Sequence, residues 1–122
     1  MLSSKEQQHL QLVWDGMGAI LETKNEEVVN ASFAQDFIQH NPWAKDGIEH
    51  IREMLQFDFG YKPIRWVVDG DVMAYHGHFF GNNERVVFDW FRLHDNGLIA
   101  EHWSVEQPIT PREEVANAHP HF

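Results

Sequence analysis

The order of its hydrophobic patterns predicts that this 122-residue chain is an α+β protein. Three segments in the first half place apolar residues at helical spacing, and from Pro63 onward the character changes to strand. Two strand-like runs, 86–93 and 98–105, flank His94-Asp95-Asn96-Gly97. Asn-Gly is a strong short hairpin signal, because both residues tolerate the positive φ that tight turns demand. Helices first and an antiparallel meander afterwards give three N-terminal helices covering one face of a curved antiparallel sheet.

Each element has its own signal. Ser3 and Ser4 stand three residues ahead of Glu6 and Gln7, a capping box, and Leu10, Val13, Trp14, Met17 and Leu21 then recur at helical spacing. These predict a helix over about 4–23. Asn25-Glu26-Glu27 opens a second, shorter helix carrying Val28, Val29 and Phe33, with acidic residues where the helix dipole favours them. Segment 37–43 reads as irregular: Pro42 disfavours helix at Asn41, which puts His40 and Asn41 on a loop. Asp46 with Glu49 gives the N-cap signal of a third helix, carrying Ile48, Ile51, Met54 and Leu55. Strands follow at 64–68 and 72–80, separated by Asp69-Gly70-Asp71, and Gly81-Asn82-Asn83 turns the chain into the hairpin. The whole of 1–122 reads as one domain. Residues 110–122, with Pro111, Pro120 and few large apolar side chains, form a tail that needs a surface to lie on.

Composition narrows the function classes. Nineteen acidic against nine basic residues give a formal net charge of −10, the wrong sign for a nucleic-acid groove. With no cysteine there is neither a disulfide framework nor thiol chemistry. No apolar run approaches a membrane span and no basic region precedes an apolar core at the N-terminus, so a cytoplasmic location is the expectation.

Ionisable residues inside core-forming strands point to the chemistry, since burying them is costly unless they are paired or used. Strand alternation groups Ala100, His102, Ser104 and Glu106 on one face and Ile99, Glu101, Trp103 and Val105 on the other. In the partner strand it groups Val87, Asp89, Phe91 and Leu93 against Phe88, Trp90 and Arg92. Asp89, His102 and Ser104 are assigned to the interior, where three polar groups can satisfy one another, and a bulge would invert part of this assignment. Phe88, Trp90, Trp103 and Val105 then make an apolar outer face, which predicts a homodimer through it, with Arg92 and Glu101 pairing on the same face. His76 and His78 form a His-x-His with Glu84 beyond, but that spacing is too long for a cupin-type metal motif and no second block follows, so neither metal nor cofactor is assigned.

The run FDWFRLHDNGLIAEHWSVEQP resembles the C-terminal hairpin of SnoaL-like, polyketide-cyclase-related proteins of the nuclear-transport-factor-2-like superfamily. Phe37-Ile38-Gln39-His40-Asn41-Pro42 with Asp46-Gly47-Ile48, then Asp69-Gly70-Asp71-Val72, and the closing Asn117 to Phe122 resemble further blocks in the same order. The resemblance implies a cone-shaped fold with a pocket, suited to a small, mostly apolar, carbonyl-containing molecule. It implies acid/base work next to that carbonyl by His40, Asp89 and His102, with Asn41 and Ser104 as hydrogen-bonding partners on the wall. Trp43 and Trp66 are assigned to the lining for a ring-shaped ligand. In the family pattern the EHW triplet is followed by Asp, where this chain has Ser104, and a serine cannot replace a carboxylate as a base at neutral pH. A non-catalytic ligand-binding protein of the same fold is therefore the alternative.

Overall fold

A computed structural model describes residues 1–81 and 83–122. Helix α1 (Ser4–Gly18) opens with the expected capping box: the Ser3 hydroxyl accepts from the Glu6 amide, and the Glu6 carboxylate accepts from the Ser3 amide. It continues into a π-helical turn (Ala19–Thr23) that ends at Lys24 with a positive φ of 52°. The Asn25 side chain accepts from the Val28 amide and starts α2 (Glu26–Ser32). Helix α3 (Ile48–Met54) departs from the expected cap: Gly47 occupies the N-cap with no side-chain bond. Asp46 instead accepts from the Gln39 and Gly47 amides, tying the loop back to the preceding segment.

That preceding segment is the main correction to the sequence reading. Residues 33–39 are not a helix end and an irregular loop but strand β1 (Phe33–Gln39). It runs parallel to the last strand, so the five-stranded sheet is mixed rather than wholly antiparallel. Phe33 and Phe37 turn inward and pack edge to face at 5.2 Å, an attachment to the core that helical spacing from Val29 had disguised.

Strands β2 (Gly60–Asp69), β3 (Val72–Phe80), β4 (Arg85–Leu93) and β5 (Ile99–Pro108) form the antiparallel meander, giving the order β1-β5-β4-β3-β2. Gly81 and Asn83 both adopt positive φ at the β3–β4 turn; Asn82, the middle residue of that expected turn, lies outside the described residues. At the β4–β5 turn Gly97 alone supplies the positive φ (87°), closing the loop 94–98, in which the His94 amide donates to the Leu98 carbonyl.

A register shift at Ala100 flips part of the face assignment. Arg92 faces Glu101 but Leu93 faces Ile99, so Ile99, expected outside, joins the core with Leu93. From Glu101 onward the expected alternation holds. Val13 and Val29 from the helices meet Phe33, Met73, Leu93 and Ile99 from the sheet, all fully buried. Each such side chain contributes roughly 1.5–3 kcal/mol of burial. The tail folds back across its own sheet: the Thr110 amide donates to His121 Nε2, and the Phe122 ring stacks on His76 at 5.5 Å and lies tilted against His78 at 4.6 Å.

Candidate functional site

Between the helices and the inner face of the sheet lies a cavity of about 330 Å³. Its depth is apolar, formed by Ile20, Phe33, Phe37, Ile51 and Phe91, and its polar groups converge along one wall. Pairing explains the convergence. Asp89 on β4 stands opposite Ser104 on β5, Phe91 opposite His102, and Gln39 on β1 beside His102.

These side chains form a chain of hydrogen bonds. The Tyr61 hydroxyl, from β2, donates to Asp89 Oδ2 at 3.0 Å. Asp89 Oδ1 lies 2.6 Å from His102 Nε2, and His102 Nδ1 lies 2.8 Å from Gln39 Oε1. Asp89 is buried and the His102 ring stacks on Phe91 at 4.6 Å, so the pair sits in a poorly hydrated wall, where an ionic hydrogen bond is strong. Burial, and then the Asp89 carboxylate, push the Tyr61 phenol well above the usual tyrosine range. Tyr75 is displaced the same way for the same reasons. Both phenols are thereby held as hydroxyls.

The other expected site residues separate into three groups. Asn41 lines the cavity: its side-chain oxygen accepts from the Trp43 amide, which turns its amide nitrogen toward Glu106 at 3.3 Å. Trp43 borders the cavity at its rim and is otherwise exposed. Ser104 lies on the Asp89 face, and its hydroxyl is buried without a hydrogen-bond partner among the described residues.

His40 and Trp66 do not belong to the cavity. Gln39 and His40 are neighbours at a strand end, so they point to opposite faces, and it is Gln39 that points inward. His40 lies on the outer face, stacked flat on Trp103 at 4.6 Å with Nε2 2.6 Å from Glu101. Glu101 is held below the ordinary carboxylate range by His40 first and then by Arg92, whose Nε is 2.9 Å away. Trp66 packs edge-on against Trp14 at 5.4 Å, beyond Tyr75 from the cavity. His76 and His78 also face outward; Arg65 donates to His76 Nδ1 at 2.6 Å, a cation where a metal would need a lone pair.

Sequence reading missed Tyr61, Gln39, Arg85 and His50 as cavity residues. Tyr61 precedes the Pro63 at which the strand was expected to begin. Gln39 was hidden by the missed strand, since only its alternation separates it from His40.

No protein-family model matches the sequence. No curated protein matches it. Solved structures do. A proposed ketosteroid isomerase from Kribbella flavida DSM 17836 superposes with a TM-score of 0.72 at 18% identity, over 94% of this chain and 92% of that one. The fold is that of SnoaL-like, nuclear-transport-factor-2-like proteins. A proposed SnoaL-like polyketide cyclase from Jannaschia sp. CCS1 gives 0.71 at 15% identity, covering 88% and 90% of the two chains. An epoxide hydrolase from M. tuberculosis, described as LEH-like, gives 0.70 at 18% identity over 84% of each chain. At such identities the likeness is one of fold.

Proposed function

We propose that the cavity takes a small, mostly apolar, carbonyl-containing molecule, and that the Asp89–His102 pair moves protons next to that carbonyl without a cofactor. Aldol-type cyclisation, isomerisation and dehydration are the reactions this would serve. The observation that carries the reading is the Tyr61–Asp89–His102–Gln39 chain on the wall of an otherwise apolar cavity. A carboxylate–imidazole pair can give and take one proton at neutral pH. The neighbours of the same fold include a proposed polyketide cyclase and a proposed ketosteroid isomerase, which supports this reaction class.

Ser104 favours a second reading, in which the same pocket binds its ligand without turnover. Both oxygens of Asp89 are already engaged, and the position where the family resemblance implies a second carboxylate holds a hydroxyl. A panel of cyclic ketones and lactones titrated into labelled protein separates the readings. Binding with chemical change at the carbonyl or its neighbouring carbon supports the enzyme; binding that leaves every ligand intact supports the binder.

The assembly we propose is a homodimer of this single cone-shaped domain in the cytoplasm. Phe88, Trp90, Trp103 and Val105 share the outer face and are well exposed, a patch that a second copy would cover.

A further inference from the structure

Gln39 makes two contacts through one atom. Its side-chain oxygen is 3.0 Å from the Asn41 backbone nitrogen and 2.8 Å from His102 Nδ1. A backbone N–H can only donate, so the Gln39 atom facing it must be the amide oxygen and not the amide nitrogen. A carbonyl oxygen can only accept, so His102 Nδ1 must carry hydrogen. On the other side of the ring Nε2 stands 2.6 Å from Asp89 Oδ1, a separation that requires a proton between them. Without it, two lone pairs would face each other inside a buried wall. Asp89 cannot turn away, because its second oxygen already accepts from Tyr61.

We infer that Gln39 is a positioning residue: it fixes the His102 ring with hydrogen on Nδ1 and so makes the Asp89–His102 pair hold one transferable proton, on the line between Nε2 and Oδ1. If Nδ1 were free to lose its hydrogen, a neutral imidazole would carry its hydrogen on Nε2 and donate to an ionised Asp89. That arrangement is complete with one proton fewer. Gln39 raises the cost of that state, since its own oxygen would then face a lone pair.

The consequence for chemistry rests on the acid/base reading above. The pair enters a reaction as an acid. It gives its proton to the carbonyl oxygen in concert with taking one from the adjacent carbon, so that Nε2 and Oδ1 are never left facing each other bare as the enol forms. One proton moves from carbon to oxygen, and the pair ends as it began. Gln39 touches none of the reacting atoms; it acts through His102.

Long-range proton–nitrogen correlation spectra of the full chain, labelled at histidine, test the assignment without any substrate. In the native protein His102 Nδ1 should be the hydrogen-bearing nitrogen throughout the neutral range. Gln39→Leu should move the hydrogen to Nε2, and Gln39→Glu, which keeps an acceptor, should restore it to Nδ1. A bare Nδ1 in the native protein overturns the inference, as does a Gln39→Leu spectrum unchanged from native. Should Gln39→Leu fail to fold, the native spectrum and Gln39→Glu still decide. Turnover separates the two levels of the argument. With an active substrate, Gln39→Leu should lower kcat by about a hundredfold with KM little changed. Native Nδ1–H in a protein that turns over no carbonyl compound would sink the enzyme reading and leave the Gln39 assignment standing.

Discussion

Gly77 lies directly beneath Tyr61: a Cβ at Gly77 would stand 1.9 Å from the Tyr61 hydroxyl oxygen. The two residues come from neighbouring strands, with Pro63 rather than Tyr61 as the pairing partner of Gly77. The tyrosine ring therefore leans along the sheet over bare backbone to reach Asp89. Only glycine leaves that path open.

Gly77→Ala should displace Tyr61 from Asp89 and cost about 1–3 kcal/mol, the usual range for overpacking a tight site. Chemical denaturation of the single variant, of Tyr61→Ala and of the double variant gives the coupling. Most of the Gly77→Ala cost should disappear in the Tyr61→Ala background. A cost that persists unchanged there would mean that something other than the ring is being pushed.

Alkaline stability follows from the same tyrosine. Its phenol is raised by burial and by Asp89, so above about pH 10 the unfolded chain releases a proton that the folded chain keeps. The folded state then binds more protons, and stability falls as pH rises through that region, by up to about 1.4 kcal/mol per pH unit for one such group. Tyr61→Phe should flatten the decline measured by denaturant midpoints between neutral and strongly alkaline pH. An equally steep decline would show that the phenol ionises as freely folded as unfolded.

On the acid side the outer face is the sensitive one. Burial, and then Arg65, hold His76 below the ordinary imidazole value. As pH falls below about 6.5 the unfolded histidine takes up a proton that the folded one refuses, so stability is lost in that direction. His76 stacks on Phe88 at 4.5 Å and beneath Phe122, which ties the loss to the tail. His76→Phe should make urea midpoints less dependent on pH below neutrality, whereas an unchanged dependence would assign the effect to other histidines.

The fold class was legible because it rests on long periodic stretches. Leu10, Val13, Trp14 and Met17 mark one helix whatever surrounds them, and the alternation of β4 survived intact. What escaped depends on contacts distant in sequence. β1 is a strand because β5 supplies its ladder, 60 residues and more away in register, and nothing within 33–39 competes strongly against helix. Asp89 and His102 could be paired from alternation, since a hairpin sets their register. His40 was assigned to the wall because β1 went unrecognised, and only the alternation of that strand separates Gln39 from His40. Tyr61 and Gly77 were unreadable, because their relationship is a steric gap, and a gap leaves no pattern.

The exposed aromatic face makes a prediction about assembly. Phe88, Trp90 and Val105 are 58%, 49% and 73% exposed and lie together on the outer face, the kind of apolar patch that a second copy would cover. Sedimentation at micromolar concentration should give about twice the chain mass, and Trp103→Glu should shift it toward the monomer. The tail needs no partner for this, since Phe122 already packs on its own sheet. A native chain that sediments as a monomer would contradict the dimer.

Proton transfer itself is tested most directly by exchange at carbon. A small cyclic ketone such as cyclohexanone, incubated in heavy water with the protein, should lose the hydrogens next to its carbonyl faster than in buffer, as read by proton NMR. Asp89→Asn should still bind the ketone and should slow that exchange by about a hundredfold or more, while His40→Ala, altered on the outer face, should leave it unchanged. Equal exchange by the native protein and Asp89→Asn, or exchange abolished by His40→Ala, would contradict the assignment of the chemistry to the Asp89–His102 pair.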